Sequence, residues 1–214
     1  MRADTAAPGT RGCRSPTGPP RATPSPCSTI SAPNAPCSAA PRKGGFTALR
    51  TALIAPERVS ALILISTEAN GPTPEQSTAT QKFLDEWYDD GSRQEAVEQL
   101  AYWLIGDDEW YRAIWTKRWL VRDREGIEVA AGCLLGRDSV SDRLSEITCP
   151  ALVIHATDSG IARERAQQLA ADLTASTFVE IAGARLAVTM THPDPVNHAI
   201  QQFLRERSAP THVR

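Results

Sequence analysis

Few side chains in this 214-residue chain are of a type and spacing to do chemistry. Asp158 stands in the loop His155-Ala156-Thr157-Asp158-Ser159-Gly160, directly after the apolar run Ala151–Ile154. The run reads as a short strand, with this loop at its C-terminal end. His155 closes that strand and reads as a neutral, satisfied structural histidine. His192, beside Pro193, reads as a helix-start residue near the surface, His198 lies beside an apolar helical stripe, and His212 is in the tail. The cysteines (Cys13, Cys27, Cys37, Cys133, Cys149) are odd in number and form no CxxC, so neither a disulfide framework nor a zinc site is expected. There is no G-x-G-x-x-G after a strand, no P-loop and no H-E-x-x-H, so no cofactor and no metal is expected.

All five tryptophans and all three tyrosines fall between residues 87 and 119. Two readings stay open. A helical subdomain packs itself with large side chains, or some of them, with Trp103, Trp110 and Trp115 as candidates, line an apolar pocket.

The elements that must position these residues begin at Gly44. Phe46, Leu49, Leu53 and Ile54 recur on one helical face, Pro56 ends it, and Val59–Ile65 is an apolar, β-branched run suited to a buried parallel strand. Residues 75–147 read as helices: Ser92 with Glu95 has the capping-box form, and Asp107 or Asp108 can cap the next helix. Strand Ala151–Ile154, helix Ile161–Leu173, strand Phe178–Ile181 and a last helix bearing Val196, Ala199, Ile200, Phe203 and Leu204 follow, with Thr191 and Asp194 at capping-box spacing before it. Helix–strand, helical insert, strand–helix–strand–helix predicts a parallel α/β sheet with an inserted lid.

Residues 1–43 differ in kind. They hold nine of the sixteen prolines, six basic residues against one acidic, and Ile30 as the only branched aliphatic. So little apolar surface cannot offset the entropy of ordering, and the arm is expected to be disordered. Its Arg/Ser/Pro-rich composition has a transit-peptide flavour but lacks an apolar segment, and its prolines oppose a targeting helix. The net charge of −2 gives no reason to expect nucleic acid, and apolar runs such as Ala61–Ile65 are far too short to span a membrane.

Two of these segments resemble the α/β-hydrolase family. Gly44-Gly45-Phe46 through Pro56-Glu57-Arg58-Val59 and Leu62–Ile65 is similar to the stretch after that family's nucleophile elbow. Cys149-Pro150-Ala151-Leu152-Val153-Ile154-His155 with Asp158 is similar to the strand that presents its catalytic acid, and the Trp-rich insert sits where the family places a cap. The resemblance covers roughly residues 44–207. It implies an incomplete α/β-hydrolase parallel sheet with an inserted helical cap and a disordered N-terminal arm. In these terms residues 44–74 and 148–207 are the core portion, 75–147 the cap, 1–43 the arm and 208–214 a tail. It also implies a G-x-S-x-G serine, a histidine and a carboxylate acting together. Counting back from Gly44, the nucleophile position falls on Arg42, which has no nucleophilic oxygen, while Ser38 lies four residues too early. The histidine position falls on Leu186, and only Asp158 keeps the residue type of its position.

The resemblance therefore implies a member of an ester- or amide-hydrolase lineage that lacks its nucleophile and base: an inactive fragment, or a pseudoenzyme. The alternatives are a hydrolase using another nucleophile or base, and a non-catalytic protein binding an apolar ligand under the cap. The expected partner is a small apolar substrate or ligand, with no nucleic acid and no membrane, in the cytoplasm. The strands that precede the elbow in the family are missing, so Val59–Ile65 is expected to lack its inner neighbour and to expose an edge for self-association. The composition shift at Lys43/Gly44 is the pattern expected of an out-of-frame or mis-started arm joined to a hydrolase portion.

Overall fold

The computed structural model describes residues 30–32, 35–41 and 43–208. Five strands lie side by side in chain order: β1 (Ile30–Ala32), β2 (Ala35–Pro41), β3 (Ala61–Ile65), β4 (Ala151–Ala156) and β5 (Ser176–Ile181). β1 is antiparallel to β2, and β2 to β5 are parallel. The run predicted over Val59–Ile65 becomes strand only from Ala61, because Pro56–Arg58 forms a 3-10 turn before it. Every residue of β3 and β4 is buried, as strands covered on both faces of a parallel sheet must be.

Sheet extends back into the stretch read as arm. β2 pairs with β3 from Cys37–Ala61 to Pro41–Ile65, so β3 has an inner neighbour and the expected apolar edge is absent; β1 and β5 are the outer strands. Composition averaged over 43 residues hid this run of small residues. Its prolines stand at the ends of the parallel ladder, Pro36 before the first pair and Pro41 at the last, where a missing N–H costs least. The rest of the arm lies outside the described residues, as do Cys13, Cys27, Arg42 and His212.

Helix α1 (Lys43–Ile54) buries Phe46, Ala48, Leu49 and Ala52, with Leu53 partly buried. Ile54, expected on the same face, is exposed at the helix end. Alternation along the strands divides the core. Leu62, Leu64, Ala151 and Val153 pack with α1 and with Leu169 and Ala170 of a later helix; Ala61, Ile63, Ile65, Leu152 and Ile154 pack on the other face with Val196, Ala199 and Phe203 of the last helix.

Between β3 and β4 the chain runs through α2 (Pro74–Tyr88), α3 (Arg93–Ile105), α4 (Glu109–Leu120), α5 (Arg124–Leu135) and a 3-10 turn, Ser141–Glu146. After β4 come α6 (Arg163–Asp172), β5, α7 (Val188–Thr191) and α8 (Pro193–Ser208). No helix among the described residues is long and apolar enough to cross a membrane.

The insert has its own core: Leu84, Trp87, Val97, Ile127 and Ala131 are buried, with Phe83, Trp115 and Trp119 packed around them. Its capping differs in part from the expectation. Asp108 does cap α4, accepting from Tyr111 N–H at 2.9 Å. Ser92 makes no cap bond, because its hydroxyl donates to the Asp89 carboxylate at 2.6 Å instead. The capping box is at Thr73 and Gln76, opening α2. Thr191 ends α7 and its hydroxyl donates to Ala187 C=O rather than capping α8.

Both connections of the insert meet at one buried carboxylate. Glu68, on the outgoing loop, accepts from Arg137 on the return at 3.0 Å, from Arg165 of α6 at 2.8 Å and from Gln76 at 3.1 Å. Arg137 also donates to Asn70 C=O at 3.2 Å and Leu134 C=O at 2.7 Å, and Val140 N–H donates to Ala69 C=O at 2.9 Å.

Candidate functional site

The parallel register brings the chemistry to one end of the sheet. Pro41, Ile65 and Ile154 are level, so the β2–α1 junction, the loop after β3 and the loop after β4 all leave the sheet at the same end. A single residue separates the strand ending at Pro41 from the helix beginning at Lys43, and that residue is Arg42. The helix start is pressed close to the sheet. A Cβ on Gly45 would come within 2.6 Å of Thr67 Oγ1 and 2.7 Å of its Cβ, so the position takes only glycine without displacing the loop.

Asp158 lies in the loop after β4 with its carboxylate exposed, and it accepts from Thr157 Oγ1 at 3.1 Å. The loop is tied to the one after β5 by three bonds: Thr157 N–H to Ile181 C=O, Asp158 N–H to Ala184 C=O, and Gly183 N–H to Thr157 Oγ1, at 3.1, 2.9 and 2.9 Å. Leu186 follows two residues after Ala184, and its side chain is buried. Asp158 and Leu186, the positions that the resemblance assigns to the acid and the histidine, thus lie on loops bonded to each other, and leucine presents an alkyl group that can neither take nor give a proton.

The end of α3 closes over these loops. Trp103 lies against Gly160, where an added Cβ would meet its ring at 3.3 Å, and Gly160 holds φ +74. Leu104 C=O accepts from Ala187 N–H at 2.8 Å. Arg185 stacks its guanidinium 4.8 Å from the centre of the Tyr102 ring and runs past Gly106. The other two candidate tryptophans lie elsewhere: Trp115 stacks on Trp119 at 4.4 Å inside the insert, and Trp110 is exposed, edge-on to Tyr111.

His192, half-buried between α7 and α8, shares a 2.9 Å hydrogen bond between Nδ1 and the Thr191 hydroxyl, and His198 is exposed on α8. His155 is buried and stacked on Phe178, but its Nδ1 has no partner among the described residues, so it is not the satisfied histidine expected. Burial pushes its imidazole below the ordinary histidine value, opposed by Glu180 on β5 and reinforced by Arg163, with Glu164 of α6 opposing weakly. A histidine that resists protonation only when folded destabilises the fold in acid. Stability is expected to fall as pH drops below about 6.5, by at most about 1.4 kcal/mol per pH unit from this group. Urea melts at a series of pH values check this, and His155→Phe is expected to flatten the dependence over that window.

Sequence reasoning missed the Glu68 cluster and the Arg185–Tyr102 contact. Nothing in the spacing of residues 68, 137 and 165 announces that they meet. Glu68, in a short loop leaving a wholly apolar strand, was the one available signal.

A four-stranded parallel run with a helical insert after its second strand and an acid-bearing loop after its third is the α/β-hydrolase fold. The comparison with solved structures shows the same fold. A thermophilic esterase from Thermogutta terrifontis aligns at TM-score 0.68 and 24% identity, covering 78% of this chain and 64% of that one. A hydrolase from Pseudomonas aeruginosa aligns at TM-score 0.68 and 18% identity over 80% of this chain and 65% of the other. An enol-lactonase from Burkholderia xenovorans gives TM-score 0.68 and 17% identity over 80% and 66%. The chain thus spans slightly less than two thirds of the length of these structures. No family model and no curated protein matches the sequence.

Proposed function

We propose that this chain is a non-catalytic member of a hydrolase lineage that binds a small apolar ester- or lactone-like ligand between the end of α3 and the C-terminal ends of the strands. The observation that carries the reading is Leu186. It is buried on the loop hydrogen-bonded to the Asp158 loop, where the resemblance calls for a histidine. Arg42 between β2 and α1 supports it, since a guanidinium offers no nucleophilic oxygen. Loss of either partner of a serine–histidine pair lowers turnover by several orders of magnitude. The ligand class is supported by Trp103, 37% exposed and lying against Gly160 of the Asp158 loop, and by the esterase and lactonase named among the structural neighbours. Self-association through a sheet edge falls to β1 or β5, the outer strands among the described residues, rather than to β3.

Tryptophan fluorescence tests the binding reading. Titration with a series of apolar esters and lactones is expected to give a saturable change that Trp103→Phe removes, with the ligand recovered intact. A flat titration across the series contradicts it.

A further inference from the structure

A guanidinium keeps its charge at every ordinary pH, so taking one partly out of water calls for an acceptor. The other half-buried arginines among the described residues each have one. Arg50 donates to Phe46 C=O, Arg93 to Leu120 C=O and Arg124 to Tyr88 C=O. Arg112 faces Glu109, and Arg137 and Arg165 face Glu68. Arg185 is half-buried as well, yet among the described residues no hydrogen bond and no ion pair engages it.

Its position is nevertheless fixed on two sides. The guanidinium lies on Tyr102, 4.8 Å from the ring centre. Its Cδ and Nε run beside Gly106, each 3.2 Å from where a Cβ would be, and Gly106 holds φ +91, so a side chain there would displace the arginine. A second guanidinium, Arg112 of α4, sits over the same ring at 5.4 Å, and its acid, Glu109, is exposed and 4.0 Å away. Asp107 and Asp108 follow Gly106 in the chain, but Asp108 caps α4 and neither pairs with Arg185 among the described residues. Two cations thus share one aromatic ring against a single, solvent-screened carboxylate.

This is also the junction at which the ligand is placed above. Arg185 stands between Ala184, whose C=O accepts from Asp158 N–H, and Leu186, and the next residue, Ala187, donates to Leu104 C=O at the end of α3. Tyr102 precedes Trp103 on that helix end. A guanidinium already held by an aromatic ring offers a carboxylate two parallel N–H donors with little further loss of side-chain freedom.

We propose that Arg185 recognises a carboxylate on the ligand, so that the ligand is an ester or lactone with an anionic end rather than a wholly neutral molecule. This rests on the ligand reading given above and narrows its class. Monomethyl adipate and dimethyl adipate, similar in length and differing by one charge, are the probes, with binding followed by calorimetry. The unaltered chain is expected to bind the monoester at least about tenfold more tightly, a preference that shrinks as salt is raised. Arg185→Gln is expected to bring the monoester down to the affinity of the diester and to leave the diester unchanged, while Arg185→Lys keeps part of the preference. Equal binding of the two probes, a preference that survives Arg185→Gln, or a loss that falls on both probes alike would overturn the proposal and leave the ligand reading standing. Binding of neither probe would overturn both. Where Arg185→Gln does not fold, the two probes compared on the unaltered chain across salt decide the matter.

Discussion

Replacing Glu68 by Gln is expected to lower the folding free energy by about 3–5 kcal/mol, the cost of leaving a buried guanidinium without its carboxylate. Glu68 is 4% exposed and Arg137 9%, so their 3.0 Å pair is desolvated. Arg165 is 38% exposed and can turn to water when released, so the cost falls mainly on Arg137. The substitution also loosens the point where the outgoing loop, the return loop and α6 are fastened to one another. Urea denaturation of the wild type and of Glu68→Gln measures the loss. Glu68→Leu combined with Arg137→Met should recover part of it, because an apolar pair of similar volume leaves no charge stranded. A loss below about 1 kcal/mol for Glu68→Gln would put the cluster in the class of solvent-screened surface pairs and contradict this account.

Trp87→Ala is expected to cost about 3–5 kcal/mol, as truncating a fully buried aromatic generally does. The indole is completely enclosed, stacked against Phe83 at 6.1 Å and edge-on to Trp119 at 6.0 Å. Its cluster is separate from the two that sandwich the sheet, so the damage should centre on the insert. Limited proteolysis is expected to cut within residues 75–147 first, with loss of tryptophan fluorescence structure there, while fragments carrying β4 to α8 remain resistant. Uniform degradation of the chain would show that insert and sheet fold as one unit. Trp110→Ala is the control: its ring is 66% exposed, and the change should stay within about 0.5 kcal/mol.

Much of this architecture was legible in the sequence because the strands are short, apolar and two-sided. Val59–Ile65 and Ala151–Ile154 pointed to a buried parallel sheet, and of the two readings open for the clustered aromatics, Trp87, Trp115 and Trp119 follow the self-packing one. β2 was not legible, since Ala35–Pro41 is built of small residues and proline, which carry no hydrophobic period. It is recruited by pairing with β3, a tertiary effect that local composition does not register. At the candidate site, Asp158 was singled out as an acid through the resemblance. Leu186 was likewise singled out only through the resemblance, because a leucine carries no chemical signature of a site. The Glu68 cluster escaped because three residues far apart in sequence become neighbours only when the insert folds back on its own connections.

Hydrolysis of a short-chain chromogenic ester, followed side by side for the unaltered chain, Asp158→Asn and a buffer blank, bears most directly on the central claim. The three traces should coincide, because the proposed reading leaves Asp158 without a nucleophile or base to serve. Turnover above the blank that vanishes in Asp158→Asn would show a working catalytic group and contradict the account.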